Sequence, residues 1–278
     1  MPIASEMLRA RVATAAVLLP LFIGGMFFLD SDWWALLLLP LLLAGAREWA
    51  VLAGFGRNGS LAFCGVLALS ALALLFGHEF QWDEAVLEAA IFSVAVAFWF
   101  LVAPVWLWRG WRLRDPRILA LTGWILIVPT WLALVRLQQW PWLLLAVLGV
   151  VWVADIAAYF AGHVWGRRKL APSISPGKTW EGVAGAAFGV AVYHALVWKL
   201  GFSGIAPQAA GAAALLVACL LPLSIIGDLF ESWIKRQAGV KDSGKLLPGH
   251  GGVLDRIDAL TATLPLAALV LPWLLLRT

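Results

Sequence analysis

Long apolar segments recur along nearly the whole chain, and short polar breaks separate them. A bilayer core requires about 20 apolar residues in a helix, and nine segments approach or exceed this length. Only helices and closed barrels satisfy their backbone groups inside lipid. The sequence therefore predicts an all-α fold, that of a polytopic integral membrane protein with about nine transmembrane helices. The predicted spans are 11–29, 33–53, 61–77, 87–108, 118–137, 141–165, 181–200, 209–234 and 257–276.

The composition excludes a large soluble core. Of the 278 residues, 63% are hydrophobic and 13% are charged, whereas about 25% of the residues of soluble domains are charged. Cys64 and Cys219 both fall inside apolar segments, which argues against a disulfide framework and a Cys/His metal site. Arg9 and Arg11 precede an apolar run without a small-residue cleavage pattern, so we expect a retained first span rather than a signal peptide.

Basic side chains are concentrated in alternate polar breaks, and this asymmetry predicts the orientation. Cytoplasmic loops are enriched in lysine and arginine, so we place the N-terminus and the loops 109–117, 166–180 and 235–256 in the cytoplasm. The opposite breaks collect acids, among them Asp30 and Asp32. The net charge of +4 is thus mostly topological. Attraction to anionic membrane lipids is secondary, and no nucleic-acid partner is predicted.

The chemistry-bearing motifs lie in the C-terminal part of the chain. Residues 1–110 read as N-terminal transmembrane helices, and residues 111–278 as a C-terminal transmembrane catalytic region, the two forming one continuous membrane unit. In the N-terminal region the charged pair Arg47 and Glu48 lies close to the polar end of the second span. We interpret this pair as a marker of the membrane interface.

A charge-dense run begins inside the eighth span, where charge is costly and marks functional sites. Asp228, Ser232 and Lys235 lie at positions i, i+4 and i+7, with Glu231 beside them. A helix places these side chains on one face. The cytoplasmic end of this span is therefore predicted to present acids, a hydroxyl and an ammonium in one stripe.

Two acids at the start of the last span complete this pattern. Asp255 and Asp258 are three residues apart and share a helix face. Two acidic faces at one depth suit Mg²⁺, which binds one or two carboxylates together with substrate phosphates. Between the two spans, the segment 241–252 supplies lysines and four glycines whose amides can approach an anion closely. The pattern predicts a magnesium–polyphosphate site, although a basic loop alone is also a common topology signal.

A second polar stretch, residues 173–181, contains Gly-Lys-Thr. It is not a phosphate-binding P-loop, because Pro172 stands where that motif requires glycine. Ser175 or Thr179 can cap the seventh span, contact phosphate, or do both. Asp155 is a further acid deep inside a span, and it is either the structural partner of a buried polar group or part of the cavity.

These residues together resemble the signature of phosphatidate cytidylyltransferases, also called CDP-diacylglycerol synthases. The matching positions are Ser232, Lys235, Arg236, Lys241, Asp242, Gly244, Pro248, His250, Gly251, Gly252, Asp255, Arg256 and Asp258. The segments 175–182 and 154–162 also resemble the family, although Ile156 and Ala157 replace its usual Thr-Gly after the aspartate. The first 110 or so residues match only as generic spans.

The resemblance implies that CTP and phosphatidate react to give CDP-diacylglycerol and pyrophosphate, for phospholipid biosynthesis, at the cytoplasmic side of a bacterial inner membrane. It implies Mg²⁺, a second cation of monovalent type on which the sequence is silent, and a homodimer. The implied metal ligands are Asp228, Asp255 and Glu231. The implied catalytic residues are Lys235, Asp255, Ser232 and Asp258. The implied phosphate- and substrate-binding residues are Ser175, Lys178, Arg236, Lys241, His250, Gly251, Gly252 and Arg256.

Three other functions are compatible with parts of this pattern. A CTP-dependent lipid kinase would share the acidic and basic cytoplasmic motifs, but it would release CDP instead of pyrophosphate. A CDP-alcohol phosphotransferase would place aspartates at i, i+4 with Asp-Gly pairs, and this chain has no Asp-Gly. An ion transporter would show repeated or broken-helix halves, which we do not find in the sequence.

Overall fold

The structure is a computed structural model. It describes residues 2–77, 83–201, 207–247, 249 and 251–275. In these residues the α-helices are α1 (Pro2–Phe28), α2 (Ser31–Leu52), α3 (Arg57–Leu75), α4 (Glu84–Ala97), α5 (Ala103–Arg109), α6 (Pro116–Leu137), α7 (Pro141–Trp165), α8 (Trp180–Gly201), α9 (Pro207–Gln237) and α10 (Leu254–Leu275). Because a π-helical turn joins α4 to α5, the described helices form nine continuous segments. That all nine cross the membrane stays a prediction.

Seven of the helical segments are long and apolar enough to cross a membrane, judged by length and composition among the described residues. They are Ser31–Leu52, Arg57–Leu75, Glu84–Arg109, Pro116–Leu137, Pro141–Trp165, Trp180–Gly201 and Ala210–Gln237. In α1 the apolar part is the shorter stretch Val12–Phe28. The protein thus has the helix content of a polytopic membrane protein.

The ends of several helices follow from local sequence signals. Asp83 caps α4 by accepting a hydrogen bond from the Val86 amide at 3.1 Å. Asp115 caps α6 in the same way, accepting from the Arg117 amide at 2.8 Å, and Pro116 follows at the first helical position. Side-chain oxygens of this kind satisfy amides that have no partner in the first helical turn.

α6 is the central helix, since most of its side chains are buried, and it packs against α2 and α10. α8 lies at the periphery and packs mainly on α7. Small residues permit this α7–α8 contact. A Cβ on Gly189 would lie 2.7 Å from the Ala157 methyl, and a Cβ on Gly185 would collide with Ala161. Small residues of this kind let transmembrane helices approach closely.

A π-helical turn, Phe98–Val102, joins α4 to α5 and fixes the position of α9. Phe230 of α9 is fully buried and meets the rings of Phe98, Trp99 and Trp106 edge-on, at centroid distances of 5.5, 5.6 and 5.3 Å. Aromatic pairs favour this geometry. Since Phe230 lies between Asp228 and Glu231 in sequence, the aromatic cluster holds the charged end of α9 in place.

A short β-hairpin is inserted into the otherwise all-α fold. Strands β1 (Lys169–Ala171) and β2 (Ser175–Thr179) pair antiparallel, with Lys169 opposite Thr179 and Ala171 opposite Ser175. The sequence interpretation treated this stretch as an irregular loop, because three- and five-residue strands are too short for a visible period-two pattern. The hairpin connects α7 to α8 and brings Ser175 and Lys178 over α9.

Candidate active site

The predicted stripe on α9 forms as expected. The Ser232 hydroxyl donates to Asp228 Oδ1 at 3.3 Å, and the Lys235 ammonium donates to Glu231 Oε2 at 2.9 Å. Both are i, i+4 pairs, the spacing at which helix side chains are neighbours. The four side chains therefore act as two linked pairs along one face of α9.

Lys235 connects this stripe to α10. Its ammonium also donates to Asp255 Oδ1 at 2.6 Å, so that one cation bridges two carboxylates. The side chains of Lys235, Glu231 and Asp255 are only 10%, 5% and 6% exposed. A buried ion cluster of this kind is costly to disrupt, since removal of one member leaves an uncompensated charge.

The second oxygen of Asp255 organises the glycine-rich loop that precedes α10. Asp255 Oδ2 accepts hydrogen bonds from the amides of Ser243 at 2.9 Å and Gly252 at 2.8 Å. Gly251 has a φ of +86°, and a Cβ there would lie 2.7 Å from the same oxygen. A Cβ on Gly252 would collide with Ser243 Oγ and Glu48. The two glycines are therefore required for the close approach of backbone to carboxylate, whatever contact they make with phosphate.

Glu48 of α2 is a member of the site that the sequence interpretation missed. It is buried, and its carboxylate accepts hydrogen bonds from Ser243 Oγ at 2.9 Å, the Val253 amide at 3.0 Å and the Leu254 amide at 2.9 Å. It thereby caps the N-terminus of α10 and holds the glycine-rich loop. The interpretation of Glu48 as a marker of the membrane interface stays a prediction, and it did not include this role in the site. Its single sequence signal was a carboxylate beside Arg47 in a mainly apolar helix.

A cavity of about 630 Å³ opens beside this cluster. Its walls are α7, the hairpin, α8 and α9, and its polar lining includes Asp155, Lys169, Ser175, Lys178 and Asp228. Lys178 of the hairpin and Asp228 of α9 form an ion pair with a nitrogen–oxygen distance of 2.5 Å. The structure thus brings the second polar stretch of the sequence to the charged run, and it places Asp155 in the wall of the cavity.

The charged groups around this cavity carry a negative excess. Asp228 interacts electrostatically with Asp155, Glu231 and Asp258, which all have the same charge. The interacting set comprises five acids and three bases, and Lys169 is a fourth base in the cavity wall. Its members are Asp155, Asp228, Glu231, Asp255 and Asp258 with Lys178, Lys235 and Arg256. Acids therefore outnumber bases at the site, which favours a bound cation.

The carboxylate oxygens of this site are compatible with an Mg²⁺ ion that the protein shares with substrate phosphates. Glu231 Oε1 is buried and has no hydrogen-bond partner among the described residues, as expected of an oxygen reserved for a ligand. Within the described residues, no three acidic, histidine or cysteine side chains are arranged as a complete metal cage. Mg²⁺ does not require one, because it usually keeps waters and takes one or two carboxylates plus substrate phosphates.

The remaining predicted site residues differ in how closely they join this centre. Arg236 donates from Nε to the Ile174 carbonyl at 3.4 Å and so contacts the hairpin turn. Asp258 accepts from the Ala259 amide at 2.7 Å. Lys241 is exposed and forms no ion pair with any residue that the structure describes. His250 lies outside the described residues, and its role in phosphate binding stays a prediction.

Thr179 caps α8, which resolves one alternative left open by the sequence. Its hydroxyl accepts a hydrogen bond from the Gly182 amide at 3.1 Å. Ser175 instead lines the cavity. The departure at Ile156 and Ala157 does not alter the lining, since neither residue borders the cavity. Ala157 packs against Gly189 of α8, and the Ile156 side chain is 58% exposed.

Comparisons with known proteins agree with this geometry. The sequence model of the cytidylyltransferase family matches residues 9–274. A phosphatidate cytidylyltransferase from Pseudomonas aeruginosa is 42% identical over 279 residues, an alignment that covers 95% of this chain and 97% of that protein. The phosphatidate cytidylyltransferase of Haemophilus influenzae is 48% identical over 126 residues, covering 44% of this chain and 43% of its own.

Thermotoga maritima supplies a third relative. The phosphatidate cytidylyltransferase of Thermotoga maritima is 43% identical over 136 residues, covering 45% of this chain and 47% of its own. The family match spans almost the whole chain, and the Pseudomonas aeruginosa protein aligns with both the N-terminal and C-terminal regions. The chain therefore belongs to the cytidylyltransferase family, alongside the phosphatidate cytidylyltransferase of Pseudomonas aeruginosa.

Proposed function

We propose that this protein transfers the cytidylyl group of CTP to phosphatidate and forms CDP-diacylglycerol and pyrophosphate. The observation that carries the proposal is the 42% identity to a phosphatidate cytidylyltransferase across nearly the full length of both chains. The polar cavity beside the Lys235–Asp255 cluster supports it, because the cavity combines cations for phosphate with acids for a metal ion.

In this reaction a phosphate oxygen of phosphatidate attacks the α-phosphorus of CTP. The bond between the α-phosphorus and the oxygen bridging to the β-phosphate breaks, and pyrophosphate leaves. The nucleophile is already an anion, so no strong base is required. Catalysis then depends mainly on positioning and on neutralisation of the phosphate charges.

The cavity wall supplies groups for both tasks. Lys178 and Lys169 present ammonium groups, and Ser175 presents a hydroxyl, to the same space. We assign these three residues to the triphosphate of CTP. Lys178 pairs with Asp228 in the structure, so that a bound phosphate competes with that carboxylate for the lysine. Lys235 is already held by Glu231 and Asp255, and we assign it to positioning the loop and the acids.

Asp228 and Glu231 are the residues that we expect to hold Mg²⁺, with Asp255 and Asp258 in support. When bound, the ion neutralises phosphate charge and polarises the reacting phosphorus–oxygen bond. Asp228 contributes a partly buried carboxylate at the cavity, and Glu231 contributes the oxygen without a partner among the described residues. Asp255 has both oxygens engaged by Lys235 and two amides, so its assignment as a ligand is the weakest of the four. The second, monovalent cation stays a prediction.

The proposed setting is a bacterial inner membrane, crossed nine times, with a cytoplasmic N-terminus. The basic side chains of the hairpin, of the end of α9 and of the loop before α10 then lie on the cytoplasmic side, where CTP is present. Phosphatidate enters the site from the lipid phase. A homodimer stays a prediction, which mass measurement in detergent can test.

Turnover by the purified protein tests the proposal. With CTP, phosphatidate and Mg²⁺, we expect CDP-diacylglycerol and pyrophosphate in equal amounts, and no product after chelation of the metal. Release of CDP with a phosphorylated lipid would instead indicate a lipid kinase. Cation flux into liposomes without CTP, in a protein that forms no nucleotide-linked lipid, would indicate a transporter.

A further inference from the structure

A second cavity is lined by other residues than the polar cavity and has the opposite character. It has a volume of about 500 Å³ and lies between α1, α2, α7 and α10, within the range of ligand pockets of about 300–1,000 Å³. Apart from Thr14 and Arg256, every described side chain that lines it is apolar. We call it the apolar groove.

Arg256 links the apolar groove to the polar cavity. Its side chain borders the groove and is exposed, and within the described residues it forms no hydrogen bond or ion pair. Its charge nevertheless acts on Asp155, which borders the polar cavity. The guanidinium thus borders the groove, acts electrostatically on a wall residue of the polar cavity, and is available to an anion.

The groove runs from the site toward the membrane interior. Leu247 of the glycine-rich loop lines it at the site end, where its amide pairs with the Gly251 carbonyl. Leu148 lies seven residues before Asp155 on α7, and Leu37 lies eleven residues before Glu48 on α2. At 1.5 Å per residue, these separations correspond to depths of about 10 and 16 Å below the site.

An apolar channel with one cation at its upper end is complementary to a lipid with an anionic head. Inside a bilayer the apolar part provides orientation rather than affinity, because lipid tails are as apolar as leucine. Selectivity then comes from the guanidinium, which binds phosphate oxygens through paired hydrogen bonds. Phosphatidate, a phosphomonoester with two exposed acyl chains, fits both requirements.

We propose that the apolar groove is the acceptor-lipid subsite, in which an acyl chain of phosphatidate lies while Arg256 holds its phosphate between the groove and the nucleotide cavity. This inference rests on the proposed function and adds to it the path by which the lipid reaches the reacting phosphorus. In this arrangement the two substrates lie on either side of Arg256. CTP lies against the hairpin, and the lipid lies against α1 and α2.

Photolabelling of the unmodified protein tests the subsite without turnover. A phosphatidate with a diazirine in one acyl chain is added to the protein in phosphatidylcholine nanodiscs without CTP, and labelled peptides are identified by mass spectrometry. We expect labels on α1, α2 and α7 residues that line the groove, and competition by unlabelled phosphatidate. A phosphatidylcholine probe with the same chain should label these residues far less. Equal labelling by both probes, or labels confined to other helices, would overturn the assignment.

A matched pair of variants supplies the second arm. Ala15 lines the groove and Ala16, the next residue of α1, does not, so Ala15→Trp should obstruct the chain and Ala16→Trp should not. We expect Ala15→Trp to raise KM for dioleoyl phosphatidate by about tenfold, equivalent to about 1.4 kcal/mol. The KM for CTP and for dihexanoyl phosphatidate should stay within twofold of the unmodified protein, and equal effects of the two variants would contradict the subsite.

The two arms separate failure of the subsite from failure of the proposed function. Specific labelling of the groove without formation of CDP-diacylglycerol would retain the lipid site and refute the reaction. Formation of CDP-diacylglycerol with no label in the groove would retain the reaction and refute the subsite. Arg256→Gln should reduce groove labelling by phosphatidate and leave the weak labelling by phosphatidylcholine unchanged.

Discussion

Glu48 Oε2 accepts a hydrogen bond from Ser243 Oγ at 2.9 Å, although the two residues are 195 positions apart in the chain. The same carboxylate accepts hydrogen bonds from the amides of Val253, which precedes α10, and Leu254, its first residue. An acid from the N-terminal region therefore supports the loop that carries the family signature. The helices of residues 1–110 contribute to the site as well as to the membrane anchor.

Replacement of Glu48 should impair both activity and stability. In Glu48→Ala three buried donors lose a charged acceptor, and hydrogen bonds to charged groups contribute about 1.5–3 kcal/mol each. We expect the free energy of unfolding to fall by about 3 kcal/mol or more, and kcat to fall because the loop before α10 loses its support. Denaturant titration in mixed micelles and steady-state kinetics measure the two effects.

Arg47→Ala is the control for this variant, because Arg47 is exposed and lies next to Glu48 on α2. It should leave the free energy of unfolding and kcat close to those of the unmodified protein. If Glu48→Ala behaved like Arg47→Ala, the role of Glu48 as a positioning residue would have to be abandoned.

The Lys235 cluster predicts a large effect from loss of a single cation. Lys235→Met leaves the carboxylates of Glu231 and Asp255 buried together without their shared partner. Breaking a buried ion pair in this way costs about 3–5 kcal/mol, and the unfolding titration should show a loss of this size. Lys241→Met, at an exposed lysine without an ion pair among the described residues, should lose less than about 0.5 kcal/mol.

A second substitution distinguishes charge from packing at this cluster. Adding Glu231→Gln to Lys235→Met removes one of the two uncompensated charges, so the double variant should be more stable than Lys235→Met alone. An equal or lower stability of the double variant would show that lost side-chain packing, and not buried charge, explains the single variant.

The sequence predicted the helical spans and the charged stripe because both depend on local spacing. Asp228, Ser232 and Lys235 share a face through the helical period alone. The partners of that stripe depend on tertiary packing, which local spacing does not encode. Glu48 reaches the site from another helix, and Lys178 reaches it through strands too short to show a period. The signature aspartate Asp255 was predicted to face a metal, but in the structure its oxygens bind Lys235 and two amides.

The glycine at position 251 is predicted to be indispensable for the geometry of the loop. At a φ of +86° alanine is strained, and its Cβ would lie 2.7 Å from Asp255 Oδ2. We expect Gly251→Ala to lower kcat at least tenfold, since a 1.4 kcal/mol distortion of the site is sufficient for that. Gly56→Ala is the matched control, because Gly56 has a φ of −66° and open space around its Cβ position. Equal kcat values for the two variants would contradict this account of the loop.

The ion pair between Lys178 and Asp228 predicts different kinetic effects for its two members. Lys178→Gln removes a cation from the cavity, so it should raise KM for CTP about tenfold while kcat changes less. Asp228→Asn should instead raise the Mg²⁺ concentration needed for half-maximal activity. Titration of CTP at saturating Mg²⁺, and of Mg²⁺ at saturating CTP, separates the two effects. An unchanged Mg²⁺ requirement in Asp228→Asn would remove Asp228 from the proposed metal ligands.

The distribution of basic residues predicts that the site faces the cytoplasm. The accessibility of single introduced cysteines from either side of the membrane tests this orientation. With Cys64 and Cys219 replaced by alanine, Asp32→Cys introduces a thiol before the body of α2, and Arg114→Cys introduces one between α5 and α6; both positions are exposed. In intact cells with a permeabilised outer membrane, an impermeant maleimide should label the cysteine at position 32. The cysteine at position 114 should react only after the inner membrane is opened. The reverse pattern would place Lys178, Lys235 and the cavity on the side without CTP, and the proposed reaction could not then occur in the cell.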